Sequence, residues 1–152
     1  MASAHLIVVG KLKDKNLEII ESSYLKRISH PKLNIHEVKA QAERPDIEAQ
    51  AVLKKISDLS KNAYVILLDE QGKEFTSTNF SRWFYALFDQ GHNEIFFVIG
   101  GAEGHHQLLK EKAQAKLSLS KLTLPHKLAR IFFIEQYYRG QTIKQGHPYH
   151  NN

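Results

Sequence analysis

Residues 79–100 run NFSRWFYALFDQGHNEIFFVIG, and the apolar period changes once inside them. Phe80, Trp83, Phe84, Leu87 and Phe88 recur at i, i+3, i+4, i+7 and i+8, the spacing of one helical face. The cluster Thr76-Ser77-Thr78-Asn79 before them is rich in N-cap residues, and Gly91 predicts the stop. From Glu94 to Ile99 the apolar run becomes continuous. A short run of this kind predicts a strand buried on both faces. Helices covering both faces of a largely parallel sheet are the arrangement that buries such a strand.

The same alternation extends outward in both directions. His5 to Val9 predicts a buried strand ending at Gly10, and Leu17, Ile20, Tyr24 and Ile28 predict one face of a helix over 16–29. Leu33 to Val38 is a more polar strand, expected near a sheet edge. Pro45 opens a helix carrying Ile47, Ala51, Ile56 and Leu59, with proline suited to the first turn. Tyr64 to Leu68 predicts a strand closed by a turn at Asp69-Glu70-Gln71-Gly72. After Ile99 come Gly100-Gly101-Ala102-Glu103-Gly104, a helix near Gln107 to Ala115 and a short strand at Leu117 to Leu119. A long helix from His126 to Gln145 follows Pro125. No linker, repeat or low-complexity segment interrupts the pattern. The expectation is an α/β fold with a parallel sheet, in a single domain over residues 1–152.

Composition narrows the function classes. The 152 residues are 42% apolar and 24% charged, as in globular proteins. There is no cysteine, which excludes disulfides, thiolate metal sites and a cysteine nucleophile. The longest apolar runs fall well short of the roughly 18 residues a membrane span needs. Met1-Ala2-Ser3-Ala4-His5 lacks the basic region and apolar stretch of a signal peptide, so a cytoplasmic location is expected. Twenty-one Lys and Arg against 16 Asp and Glu give a net charge of +5, which permits a polyanionic partner without requiring one.

The last helix is unusual. Leu128, Ala129, Ile131, Phe132, Phe133, Ile134, Tyr137 and Tyr138 cover more than one of its faces. Such a helix either buries its second face against another subunit or sinks entirely into its own core.

Ligands of open α/β sheets bind outside the carboxyl ends of the strands. Three loops hold that position: the one after Leu68, Gly100 to Gly104, and Ser118 to Pro125. The glycines allow a ligand close to the backbone, or simply make a tight turn into the next helix. Neither a dinucleotide fingerprint nor a phosphate loop is present. Ser118 to Pro125 offers backbone amides and carbonyls to a flat heterocycle, between apolar walls from Leu119, Leu122 and Leu124. Its plainer reading is a strand followed by a capped helix start.

The chain ends Gly146-His147-Pro148-Tyr149-His150-Asn151-Asn152. These histidines, with His126 and the pair His105-His106, have a metal-ligand look. Pro148 disrupts helical ligand spacing, however, and no carboxylate stands beside them in sequence, which reads against a metal. The tail either enters a site, to stack on a base or move a proton, or frays as termini do.

Taken in order, these motifs resemble one family. Ser118-x-Ser120-x-x-Thr123-x-Pro125-His126-x-x-x-Arg130, then Glu135-Gln136-x-Tyr138-Arg139 and His147-Pro148-Tyr149-His150, resemble the RlmH family, the small SPOUT-type 23S rRNA pseudouridine N3-methyltransferases of bacteria. Val9-Gly10-Lys11-Leu12-Lys13, Tyr24-x-Lys26-Arg27, Leu68-Asp69-x-x-Gly72-Lys73 and Phe97-Val98-Ile99-Gly100-Gly101-x-x-Gly104 extend the match nearly end to end. The resemblance implies a SPOUT-type fold with a C-terminal trefoil knot. It also implies a homodimer and S-adenosylmethionine held in the knot without a metal. The cofactor residues it implies are Leu68, Gly100, Leu119, Ser120, Lys121, Leu122, Thr123 and Leu124. The implied substrate is 23S rRNA, within a ribosomal particle.

One position departs from the pattern: Gly140 stands where alanine is expected. Glycine in a helix interior costs about 1 kcal/mol against alanine, so a loosened or bent helix is expected just before the tail. The acceptor N3 lies in an imide and is weakly nucleophilic while protonated, so its proton must be drawn off. His150 is the candidate proton acceptor, with Arg139 stabilising charge on the ring and Tyr149 positioning the base. Arg139 is equally suited to an ordinary salt bridge. The rival function is a catalytically silent RNA-binding module.

Overall fold

The computed structural model describes residues 2–101 and 104–151. Ala102 and Glu103 of the glycine loop and Asn152 of the tail lie outside the described residues. Strands β1 (Ser3–Val9), β2 (Leu33–Val38), β3 (Tyr64–Glu74), β4 (Glu94–Ile99) and β5 (Ala115–Ser118) alternate with helices α1 (Lys15–Leu25), α2 (Pro45–Leu59), α3 (Ser77–Asp89), α4 (Gln107–Lys112) and α5 (His126–Gln145). A 3₁₀ turn over Pro148–Asn151 closes the chain.

The five strands form one sheet in the order β2-β1-β4-β3-β5, every pair parallel. β2 is an edge, as its polarity suggests. β1 and β4 are central, which is why both are continuous apolar runs. Alternation along the strands divides the core in two. Ala4, Leu6, Val8, Ile66, Ile95 and Phe97 face α3 and α5, meeting Phe80, Phe84, Phe133 and Tyr137. Ile7, Val9, Val65, Leu67, Phe96 and Val98 face α2 and α4. The aromatic rings interlock at one point: Phe97 lies 4.5 Å from Phe133 and 5.7 Å from Phe84, centroid to centroid.

The helix over 77–89 starts and stops as its residues dictate. Thr76 caps it by accepting the Asn79 N–H at 3.1 Å, and Gly91 follows in the left-handed region at φ +95°.

Four expectations need correction. β3 does not turn at Asp69–Gly72; it continues to Glu74, with a register shift against β5 between Leu68 and Lys73. The β5 backbone passes so close that a Cβ on Gly72 would stand 2.7 Å from the Leu117 nitrogen, so the glycine marks a close approach of two strands. α1 ends at Leu25, not near Ser29, and none of its residues is fully buried. α2 buries Ala49, Val52 and Ile56, a face rotated from the expected one, and leaves Leu59 exposed. α4 stops at Lys112, so Ala115 opens β5 and Leu119 lies beyond it.

The expected loosening at Gly140 is absent as well. α5 runs unbroken to the left-handed cap Gly146. Gly140 is buried against α3, and its carbonyl accepts the Ser81 hydroxyl at 2.7 Å.

Among the described residues no helix is long and apolar enough to cross a membrane.

Candidate functional site

The carboxyl ends of β4 and β5, together with the middle of β3, border a cavity of about 530 Å³. Each wall comes from one of the segments singled out in the sequence, the first of which is strand and not loop. Leu68 to Gln71 of β3 supply the first, Ile99, Gly100, Gly101, Gly104 and His105 the second, and Leu119, Ser120 and Leu122 to Pro125 the third, with His126 and Ala129 of α5 behind. Of the eight candidate cofactor residues, Leu68, Gly100, Leu119, Ser120, Leu122, Thr123 and Leu124 line it. Lys121 does not: its amine turns outward to Glu74 Oε1 at 3.4 Å.

The third wall is held by its hydroxyls. Ser118 Oγ donates to the Ser120 carbonyl at 3.1 Å, and Ser120 Oγ accepts the Leu122 N–H at 2.9 Å. Among the described residues, no hydrogen bond uses the amides of Thr123 and Leu124. Both residues line the cavity, and Leu119 and Leu124 are half-buried there. Apolar walls with a few convergent backbone groups suit a flat heterocycle. These residues therefore fit the adenosine part of S-adenosylmethionine.

The three candidate catalytic residues come together elsewhere, around a fourth. Glu135 Oε2 accepts the Tyr149 hydroxyl at 2.7 Å and Arg139 Nη2 at 2.8 Å, while Oε1 accepts Arg139 Nε at 3.3 Å. Arg139 Nη1 donates to His150 Nδ1 at 3.1 Å, and its guanidinium lies 4.9 Å from the Tyr149 ring centroid. Tyr149 also packs edge-on against Tyr138 at 4.8 Å. The tail is thus folded back on α5 through both aromatic and charged contacts.

Burial pushes the Tyr149 phenol well up, and the nearby Tyr24 and the hydrogen-bonded Glu135 carboxylate add to it. It stays protonated and donates a hydrogen bond to Glu135. The paired Glu135 carboxylate raises the Arg139 guanidinium further. Glu135 was legible only as part of a motif; its position four residues before Arg139, one helical turn, is the signal that places it.

In one chain the two groups do not meet. Arg139 lies ten residues beyond Ala129 on the same helix, about 15 Å along its axis at 1.5 Å per residue.

The pair His105-His106 has other partners. His106 caps α4 by accepting the Leu108 N–H at 3.1 Å. His105 donates Nε2–H to the Leu68 carbonyl at 2.8 Å. Among the described residues, no group of three or more His, Asp or Glu side chains is placed to hold a metal.

Comparison with known proteins adds relatives. The family described as "Predicted SPOUT methyltransferase" matches residues 2–150. The chain is 36% identical over 155 residues to the ribosomal RNA large subunit methyltransferase H of Flavobacterium johnsoniae, covering 96% of this chain and 97% of that protein. It is 40% identical over 157 residues to the protein of the same name from Clostridium tetani, covering 95% and 97%. Among solved structures it is similar to the SpoU methyltransferase AviRb of Streptomyces viridochromogenes in complex with AdoMet. That similarity has a TM-score of 0.49 at 13% identity, over 90% of this chain and 57% of that one.

Proposed function

Because the chain belongs to the SPOUT methyltransferase family, matched over residues 2–150, we propose that it methylates N3 of a pseudouridine in 23S rRNA, using S-adenosylmethionine. The observation that carries this reading is the cavity bordered by β3 and the ends of β4 and β5, with seven candidate cofactor residues on its walls. The names of the two bacterial relatives support the substrate class. On this reading the protein works in the cytoplasm, on rRNA within a ribosomal particle.

Bound in the cavity, the cofactor supplies an electrophilic methyl group on a sulfonium. The chain's own part is to hold donor and acceptor in line and to remove the imide proton. The amides of Thr123 and Leu124 and the apolar side chains of Leu119 and Leu124 fix the adenosine. Arg139 faces the uracil ring and stabilises the charge that develops on it. His150 takes the N3 proton, and Tyr149 offers a ring against which the base stacks.

The reaction needs the cavity and the tail cluster in one place, which a single chain does not provide. We propose that a two-fold dimer supplies it, the tail of one copy closing the cavity of the other. Leu122, Leu128 and Phe132 are exposed around the cavity end of α5. Leu128 and Phe132 are four apart and share a face. That face is the second surface the long apolar helix is expected to bury, and the implied knot would place it beside the cofactor loop. Phe132→Lys should yield monomers in sedimentation at micromolar concentration. An unaltered dimer would exclude this face from the interface.

The reading is tested by incubating the protein with S-adenosylmethionine and either free 23S rRNA, the large subunit or the assembled ribosome. Nucleoside mass spectrometry should find N3-methylpseudouridine in at least one particle. Tight RNA binding with no methyl transfer to any of the three would favour the silent RNA-binding module.

A further inference from the structure

His105 does something at the cavity that its place in a histidine pair did not suggest. The chain leaves β4 at Gly100, turns through a bridge between Gly101 and Gly104, and returns with Gly104 at φ +79°. The Gly104 N–H donates to the Gly101 carbonyl at 3.1 Å. This return brings the His105 ring across to β3, where Nε2–H donates to the Leu68 carbonyl at 2.8 Å. The other edge of the ring lies over Gly100. A Cβ at position 100 would stand 3.2 Å from both Cε1 and Nδ1 of His105, and 3.0 Å from the Gly104 carbonyl oxygen. Ring, glycine and carbonyl therefore form one packed unit spanning two walls of the cavity.

The hydrogen bond fixes the tautomer. A carbonyl only accepts, so Nε2 carries the proton and Nδ1 is bare. Nδ1 is buried without a partner among the described residues. An apolar side chain would fill the same space without leaving an acceptor desolvated, so bulk alone does not account for histidine here. Burial holds the ring below its usual range and hence neutral at physiological pH. The hydrogen bond to the Leu68 carbonyl and, less, Asp69 of β3 act against that shift, and Lys110 of α4 and Lys116 of β5 act with it.

We infer that His105 is a positioning residue of the cofactor site, pinning the β4 glycine loop to the middle of β3 through the Leu68 carbonyl. The inference rests on the cofactor reading above. Leu68 and Gly100 are both candidate cofactor residues, and His105 sets the spacing between them before the cofactor arrives. Its contribution is preorganisation, so it appears in cofactor affinity and not in the methyl-transfer step.

The test uses calorimetry with S-adenosylhomocysteine on the full-length protein at pH 8, together with single-turnover methylation at saturating cofactor. His105→Leu keeps the bulk and removes the donor, and should weaken binding about tenfold with the transfer rate unchanged. His105→Gln, whose amide N–H can reach the same carbonyl, should recover affinity to within about threefold of wild type. Equal affinity for wild type and His105→Leu would overturn the inference, as would a glutamine variant no better than the leucine one. Should the leucine variant fail to fold, nitrogen-15 spectra of the wild-type imidazoles decide. A protected Nε2–H at His105 supports the pin and an Nδ1–H tautomer refutes it. Wild-type protein that binds no S-adenosylhomocysteine would instead sink the cofactor reading, and the His105 inference with it.

Discussion

Replacing Arg130 with methionine removes a guanidinium that ties α1, β2 and α5 together. Nε and Nη2 donate to the two Glu21 oxygens at 2.6 and 2.9 Å, and Nη1 donates to Glu37 Oε2 at 2.7 Å. The Arg130 side chain is 5% exposed, Glu21 12% and Glu37 34%. Burial works against the charge on the guanidinium, but the two carboxylates outweigh it. Removing one partner of a buried pair costs about 3–5 kcal/mol, because the other charge stays desolvated. Glu37 is a third open to water and also accepts the Leu12 N–H at 3.2 Å, so its share is screened. The lower end, about 3 kcal/mol, is expected.

For a domain of this length that corresponds to a Tm drop of about 6–12 °C. Urea unfolding at pH 7, at one protein concentration, measures the loss, and adding Glu21→Gln to the variant should restore part of it. The difference between wild type and variant should also narrow in acid. Burial tends to raise the Glu37 carboxyl, but hydrogen bonding and charge from Arg130 hold it below its usual 4.5. Its contribution is therefore present above that value and lost as pH falls through the lower folded one. A loss under about 1 kcal/mol at pH 7 would refute the reasoning and class the triad with exposed ion pairs.

Gly140→Ala should raise stability by about 0.5–1 kcal/mol. The new Cβ would meet Phe80 and Ser81 at an ordinary 3.7 Å, and a lower Tm would show that the α3–α5 contact is tighter than that. Deleting residues from His147 onward should reduce single-turnover methylation by about 10²-fold. Calorimetry should find cofactor affinity changed by no more than a few-fold, and undiminished methylation would make the tail a frayed end. Burial holds His5 and His36 below their usual 6.5; Lys55 adds to this for His36, while His5 and His36 disfavour charge on each other's ring and Glu94 acts the other way on His5. The unfolded chain then takes up protons at higher pH than the folded one, so stability is full above about pH 6.5 and falls as pH drops below it. His5→Phe should flatten that slope in urea titrations from pH 8 to 5, and an unchanged slope would point to other groups.

Much of the fold was legible because its signals are local. The helical period of Phe80 to Phe88 and the continuous run of Glu94 to Ile99 each need only their own residues. The misreading at Asp69–Gly72 has the opposite cause. Charged residues ending in glycine mark a turn or a strand irregularity equally well, and the β5 backbone pressed against Gly72 decides between them. That neighbour arrives some 45 residues later in the chain. The phase of α2 failed for a related reason: its apolar residues are spread widely enough for two faces, and the sheet selects Ala49, Val52 and Ile56. The candidate site divides in the same way. Two of its three walls were legible as loops from strand ends and composition, because ligand sites on α/β sheets follow strand direction, whereas the remaining one, Leu68 to Gln71, is part of β3. The pin from His105 to Leu68 was not legible, since it spans 37 residues and depends on a glycine turn. Nor was the role of Lys121 as an outward-facing partner of Glu74.

The tail cluster carries a constraint on the proposed chemistry that no motif contains. Arg139 can only donate, so its 3.1 Å contact with His150 Nδ1 occupies the lone pair of that ring. In the neutral tautomer the other nitrogen, Nε2, already holds a proton. As arranged in the single chain, His150 has no lone pair with which to take a proton from N3. Arg139 must leave His150 before His150 can act, and the proposed mechanism gives it reason to. The uracil imide carries carbonyl oxygens on either side of N3, and as the proton departs they gain negative charge. A guanidinium drawn toward that charge releases Nδ1 in the same movement. Glu135 can retain one of the remaining donors, and Tyr149, anchored to the same carboxylate at 2.7 Å, keeps the tail in place. Deprotonation and charge stabilisation are thus coupled through one side chain. On this account Arg139→Lys should lose more than the strength of a single hydrogen bond. An ammonium cannot hold Glu135 through two donors while reaching the ring with a third in the plane of the guanidinium fork. His150→Ala should be partly rescued at high pH, where the imide loses its proton unaided, whereas Arg139→Lys should not be rescued at all. Equal rescue of both variants would mean that the two residues act independently.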